Sequence, residues 1–351
     1  MNITYRTRRR LQRMGTIVLF LVMVIVIGWF CWVVWLERYI VYTRDGAAID
    51  FDVSLENMSG EIAVPPVMDE GLEIHYNEGE NAISTSTDLT QLSGYYISST
   101  MLQEDIAGVR AKVETLPVGT PVMIELKGGY GSFYYSSQLD GAQKAGSVDV
   151  AAVDSLIEYM KSRNFYLIGE IPAYRDYTFG LNHHNESVGI TYSGGRGALW
   201  ADDGGCYWLK PTHSSVLGYL TSIILELRGM GFDEVLLRDF EVPNGKKVIY
   251  EGDEQADLAE AAGKLLTSCS ASYFTVSFLC EDAAFPLPEG RCRMYLNNIS
   301  AKDVERYGSQ VTFTDPQLRL VLLADTKDTR YDTYGVLRSL DLIDLENPDE
   351  E

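Results

Sequence analysis

At 351 residues and 46% hydrophobic content, the chain is long enough for one barrel-sized domain plus flanking segments. Its formal net charge of −21 repels phosphate polymers, which excludes nucleic acid as the partner class. None of its five cysteines sits at a C-x-x-C spacing and its four histidines form no ligand pattern, so neither a metal site nor a cofactor is expected.

The chain opens on a basic tail, residues 1–15, with Arg6, Arg8, Arg9, Arg10 and Arg13. The stretch 16–36 follows without a charged side chain; at 1.5 Å rise per residue it can cross a hydrocarbon core of about 30 Å. Trp29, Trp32 and Trp35 crowd its far end, where aromatic rings anchor at a membrane interface. The pattern predicts an uncleaved single-pass transmembrane helix, N-terminus cytoplasmic and the remainder outside; a cleaved signal peptide is the alternative. Four of the cysteines, Cys206, Cys269, Cys280 and Cys292, would then lie where disulfides persist, with three possible full pairings. Residues 37–91 are rich in Asp, Glu, Ser and Thr and read as an extracytoplasmic stalk that buries too little apolar surface to fold alone.

From residue 92 strands and helices alternate, the signature of a parallel sheet. Strands are predicted at 94–99, 121–127, 165–172, 232–240, 273–279, 293–296 and 318–323. Helices are predicted at 105–116, 150–163, 253–268 and 301–307, and the segment 331–340 is left to close the ring. Between the third and fourth strands lies a long insertion that ends in an amphipathic helix. Its apolar residues Val216, Leu220, Ile223, Ile224 and Leu227 recur at helical spacing, and Gly229 and Gly231 are expected to stop it. The expected architecture is an α/β protein, a (β/α)8 TIM-type barrel over 92–340 behind the N-terminal helix, with an acidic tail at 341–351.

The stretch from Trp208 to Pro243 carries a family resemblance. Trp208, Leu209, Lys210 and Pro211, a helix, then Gly231, Phe232, Asp233, Glu234 and finally Pro243 resemble the "putative glycosyl hydrolase" domain of exported bacterial proteins, a barrel related in fold to the alpha-amylase type. The resemblance implies a barrel whose site lies at the C-terminal ends of the strands. It places a catalytic Asp near the end of the fourth strand, where this chain reads Arg238–Asp239–Phe240–Glu241. Aligned without gaps, Arg238 stands at the acidic position and Glu241 where the family has Arg; a slip of one residue puts Asp239 there instead and turns the strand to its other face. Glu170 likewise stands where the family has Arg, while Arg175 and Asp176 keep its basic and acidic positions.

Glycoside hydrolysis needs two carboxyl groups, one an acid and the other a nucleophile or base. Asp239, Glu241, Glu125 and Glu170 are the candidates. Lys127, Tyr130, Tyr134, Asp176, Trp200, Trp208 and Arg238 are candidate substrate-binding residues. Glu125 and Lys127 share a face by the period of two, as a polar pair at the mouth or a plain salt bridge. Tyr130, Phe133, Tyr134 and Tyr135 form an aromatic loop able to stack on sugar rings, and Trp200 and Trp208 form either a stacking wall or core. An Arg at the end of a buried strand requires an acidic partner, so Arg238 is expected to pair with Glu125, Glu170 or Glu241. The chain reads as a membrane-anchored, extracytoplasmic, glycosyl hydrolase-like barrel that acts on or binds a glycan, such as a neutral polysaccharide or cell-wall glycan. The alternative is a non-catalytic barrel that binds carbohydrate or an envelope protein. Whether two carboxyl groups face each other in an open mouth separates the two.

Overall fold

The computed structural model describes residues 22–23, 25–29, 32, 40–43, 46–49, 89–190 and 198–345. Eight parallel strands close into a barrel: β1 (Ser93–Ile97), β2 (Pro121–Glu125), β3 (Tyr166–Pro172), β4 (Glu234–Arg238), β5 (Thr275–Leu279), β6 (Met294–Leu296), β7 (Leu320–Ala324) and β8 (Gly335–Ser339). All seven predicted strands are present, and the segment left to close the ring supplies β8, which pairs with β1 from Val336↔Ser93 to Ser339↔Tyr96. The helices in chain order are α1 (Ser99–Glu104), α2 (Ile106–Thr115), α3 (Val150–Ser162), α4 (Tyr177–Asn182), α5 (Ser214–Met230), α6 (Glu254–Cys269), α7 (Val304–Gly308) and α8 (Pro316–Arg319).

Local chemistry sets the helix boundaries. Asp105, Asp149, Asp176 and Asp253 cap α2, α3, α4 and α6, each carboxylate accepting an N–H from the first turn. Helix α5 buries the predicted stripe Val216, Leu220, Ile223, Ile224 and Leu227. It runs through Gly229 and stops at Gly231, whose φ of 94° is the left-handed turn that lets its N–H reach back to Leu227 and Arg228. Only the second of the two expected glycine stops is therefore used.

The core has two parts. Leu92, Met123, Ile168, Leu236, Tyr295, Val321, Leu323 and Leu337 pack together inside the barrel. A larger cluster fills the space between strands and helices, where Val235 and Leu237 meet the stripe of α5. Leu236 points inward, so the period of two puts Glu234 and Arg238 on the interior face as well. Arg238 therefore faces into the mouth.

Within the expected stalk, Ile40–Thr43 pairs antiparallel with Gly46–Ile49 as a separate two-stranded sheet. Residues 1–21, most of 30–39 and 50–88 lie outside the described residues, as does the acidic tail from 346 on. Of the expected membrane span, Val22, Met23, Ile25, Val26, Ile27, Trp29 and Trp32 are described as helical and exposed. Among the described residues no helix is long and apolar enough to cross a membrane. The four cysteines of the barrel are free thiols, each buried, so none of the possible pairings is made.

Candidate functional site at the barrel mouth

Strands β2, β3 and β4 lie side by side, with Glu125 paired to Glu170 in register and Pro172 to Arg238. Their interior-facing ends bring three carboxylates to one guanidinium. Arg238 Nη2 donates to Glu125 Oε1 at 3.0 Å and to the Lys127 carbonyl at 3.4 Å. Its Nε lies 2.8 Å from Glu170 Oε1, an ion contact whose angle does not make a hydrogen bond. Its Nη1 lies 3.4 Å from Asp239 Oδ2. Glu125 also accepts the Ser99 N–H, the first amide of α1, at 2.8 Å. The expected pairing of Arg238 with Glu125 and Glu170 is thus present. Glu241 takes no part in it, because it lies beyond the strand end and turns toward β5.

Asp239 is the unusual member. Its φ of 53° places a non-glycine residue in the left-handed region. Its Oδ2 is buried without a hydrogen-bond partner among the described residues. A buried acceptor left unmatched costs about 1–3 kcal/mol, and such strain clusters at functional sites. The cluster stays reachable: the side chains of Arg238 and Asp239 are 24% and 20% exposed.

Crowding shifts protons here. Burial pushes the Glu170 carboxyl up to about 7; Arg238 opposes this, and Glu125 and Asp239 reinforce it. Burial also raises Asp239, against Arg238 and Arg175. Burial disfavours the charge on Arg238, yet Glu170, Asp239 and Glu125 hold its pKa above the ordinary value. With one cation among three acids, one carboxyl keeps a proton near neutrality, and Glu170 is placed to do so.

The remaining candidates divide. Lys127 does not pair with Glu125, because it lies past the strand end; it is fully buried against Asp176, which also accepts from the Tyr219 hydroxyl at 2.8 Å and caps α4. Of the aromatic loop only Tyr130 is exposed, at 60%, while Phe133, Tyr134 and Tyr135 are buried. The loop folds inward because Phe133 bridges to Lys127 and the Tyr135 hydroxyl donates to Glu226 at 2.6 Å. Tyr134 nevertheless lies close to the cluster, and its hydroxyl is raised by burial and then by Glu125. Trp208 is buried, donating to Asp202 Oδ2 at 3.1 Å, and Trp200 is half-buried.

Asp202, a carboxylate the sequence offers beside Trp200 and Trp208, turns out to pair with Arg175, whose Nε reaches Oδ2 at 2.5 Å; that pairing has no local sequence signal. Burial pushes Asp202 up, but bonds from Arg175, the Cys206 N–H and Trp208 outweigh it and hold the carboxyl below its usual range. Sequence reasoning missed Glu281, the partner of Glu241. Burial and then Glu281 push the Glu241 carboxyl up to about 7. The two acids line a cavity of about 350 Å³ over Phe240 and Phe285. The largest of the cavities described, about 530 Å³, is lined by other residues, among them His184, Lys210 and Tyr250. Among the described residues no group of three or more His, Cys, Asp or Glu could hold a metal ion.

Residues 98–268 match the family model described as "Putative glycosyl hydrolase domain". That stretch of the chain is similar to this family. It holds β2, β3, β4 and all four members of the Arg238 cluster, so the glycosyl hydrolase-like domain and the mouth of the barrel coincide. No curated protein matches the chain significantly. Among solved structures, a hypothetical protein from Ruminiclostridium thermocellum is 18% identical, covering 52% of this chain and 96% of that one, with a TM-score of 0.43. A family 20 exo-beta-N-acetylglucosaminidase from Vibrio harveyi is 11% identical, covering 74% and 46%, with a TM-score of 0.44. An alpha-galactosidase from Lactobacillus brevis is 7% identical, covering 76% and 40%, with a TM-score of 0.49. The chain spans less than half the length of these two glycosidases.

Proposed function

We propose that the glycosyl hydrolase-like domain binds a neutral glycan across the barrel mouth and cleaves it with Glu170 as general acid and Asp239 as nucleophile or base. The observation that carries this reading is Asp239. It is a strained carboxylate with an unmatched oxygen, set at the C-terminal end of a barrel strand beside a carboxyl poised near neutrality. One guanidinium contacts both groups, its Nε 2.8 Å from Glu170 and its Nη1 3.4 Å from Asp239, so the two acids share one site. In the step, Glu170 gives its proton to the leaving oxygen as the glycosidic bond breaks. Asp239, whose charge Arg238 and Arg175 favour against burial, attacks the anomeric carbon or takes the proton of an attacking water. Arg238 orients both acids.

A second reading has its own support. Arg238 occupies an interior position that the family resemblance reserves for an acid, and it engages Glu125 and Glu170 in ion contacts. A barrel so wired holds a glycan without cutting it. Incubating the full-length chain with a panel of neutral polysaccharides decides between them. Release of reducing ends that falls about 10²–10⁴-fold in Glu170→Gln supports the hydrolase. Tight binding with no release supports the binding protein, and neither binding nor release rejects both.

The N-terminal segment completes the proposal. The uncharged stretch 16–36 behind five arginines supports a single membrane-spanning helix, N-terminus cytoplasmic, holding the barrel outside near an envelope glycan. Labelling of an introduced surface cysteine from outside intact cells tests this; protection of the barrel until lysis rejects it.

A further inference from the structure

A cavity of about 500 Å³ lies outside the Arg238 cluster, between the loop after β2, helix α4 and the first half of α5. The loop and α4 leave the C-terminal ends of β2 and β3, so the cavity opens on the same face of the barrel as the mouth. We propose that it is a second glycan site that seats one sugar residue of the polymer engaged at the mouth; this rests on the glycan reading above.

Its walls have the composition a sugar ring requires. Phe179 stacks with His183, ring centroids 4.1 Å apart, and with Tyr219, 4.5 Å away, and all three rings line the cavity. Phe133 adds a fourth ring to the lining. Asp140, Thr178, Asn182 and Ser222 supply polar groups around them. A pyranose has apolar C–H faces and an equatorial belt of hydroxyls, and a pocket of aromatic surface with a few polar groups matches both. Thr178, Asn182 and Ser222 donate to the Tyr130, Thr178 and Gly218 carbonyls, which leaves their side-chain oxygens as acceptors for sugar hydroxyls, while a phosphorylated ligand would meet Asp140.

The pocket is also rigidly built. Gly131 closes one side at a φ of 89°, where an added Cβ would stand 2.7 Å from Asp176 Oδ1 and from Thr178. Behind the wall, the buried Lys127–Asp176 pair ties the loop to the start of α4, and the Tyr219 hydroxyl bonds the same carboxylate. The rings are therefore held in place before any ligand arrives, which lowers the entropic cost of binding. This also gives Lys127 and Asp176, chosen from the sequence as binding residues, a place as supports under a binding wall.

The test is affinity electrophoresis of the full-length chain in detergent through gels holding a polysaccharide that retards it. Ser222→Trp fills the cavity from an exposed helix position, and Phe179→Ala removes the central ring. Both variants should lose about tenfold in polymer affinity while keeping turnover of a short chromogenic glycoside within about twofold. Circular dichroism melts confirm folding, and Ser222→Trp serves where Phe179→Ala melts early. Retention of wild-type polymer affinity by Ser222→Trp, with loss in Asp239→Asn, overturns the second site and leaves the mouth reading standing. Absence of retardation of the wild-type chain by every polymer overturns both. Retardation by a polyanionic polymer alone overturns the neutral-sugar assignment.

Discussion

At the N-terminal end of β4, Glu234 is fully buried and both of its oxygens are matched. Oε1 accepts from Ser277 at 2.6 Å and Tyr295 at 2.8 Å, while Oε2 accepts from Tyr166 at 2.9 Å and from Arg293. Arg293 spends its other donors on the Thr90 and Leu318 carbonyls. Four residues along the same strand, Arg238 meets three carboxylates but hydrogen-bonds only Glu125 among them, and Asp239 keeps an unmatched oxygen on a left-handed backbone. Both ends put an arginine among acids inside one barrel. The satisfied end fastens the closure, tying β4 to β3, β5, β6 and the chain entering β1. The frustrated end keeps an unmatched oxygen and a left-handed backbone at the mouth, where the proposed function puts the ligand. In a barrel of parallel strands this is the division expected between the stability face and the functional face.

Mutations at the two ends should therefore act on different observables. Glu234→Gln leaves Arg293 buried without a counter-charge, and denaturant unfolding should show a loss of about 3–5 kcal/mol. A loss under 1 kcal/mol would erase the contrast between the ends. The next effect is in the pH dependence of stability. The Glu170 carboxyl moves from its ordinary 4.5 to about 7 on folding, so the folded chain holds that proton more tightly than the unfolded one. Its stabilisation is complete below about pH 4.5 and is lost as pH rises through 7, by about 3 kcal/mol at most. Glu241 contributes in the same direction over the same window. Glu170→Gln should flatten that slope in urea melts taken between pH 4.5 and 8; an unchanged slope would place the proton elsewhere.

Smaller effects sharpen the comparison. Gly231→Ala forces a side chain into a φ of 94° and should cost about 1–2 kcal/mol in thermal melts without touching ligand binding. Asp239→Gly removes the strained side chain and its unmatched oxygen and should stabilise the fold by about 1 kcal/mol while abolishing turnover. Destabilisation by Asp239→Gly would mean that the carboxylate is a structural support, like Glu234.

Much of this was legible in the sequence because it depends on local periodicity. The apolar run Val235–Leu236–Leu237 marked β4, and an arginine at a buried strand end demanded acids, which named Glu125, Glu170 and Glu241, of which the first two are its partners. What escaped depends on where the chain goes after a strand ends. Lys127 follows Glu125 by two residues, but the loop carries it to Asp176. Glu241 meets Glu281 only because β4 and β5 are neighbours. The aromatic loop read as exposed because nothing local announces Glu226, which is 91 residues away from Tyr135. Glu234 carried a usable signal, a carboxylate opening an apolar strand, yet its partner Arg293 comes 59 residues later.

The most direct measurement is the pair of turnover and unfolding free energy in Asp239→Asn beside Glu234→Gln, using whichever neutral polysaccharide the wild-type chain cleaves. Turnover lost by at least about 10²-fold in Asp239→Asn at unchanged or higher stability, with stability lost first in Glu234→Gln, is the predicted result. An Asp239→Asn chain that unfolds as readily as Glu234→Gln, or that cleaves at the wild-type rate, would contradict the division of labour between the two ends of β4.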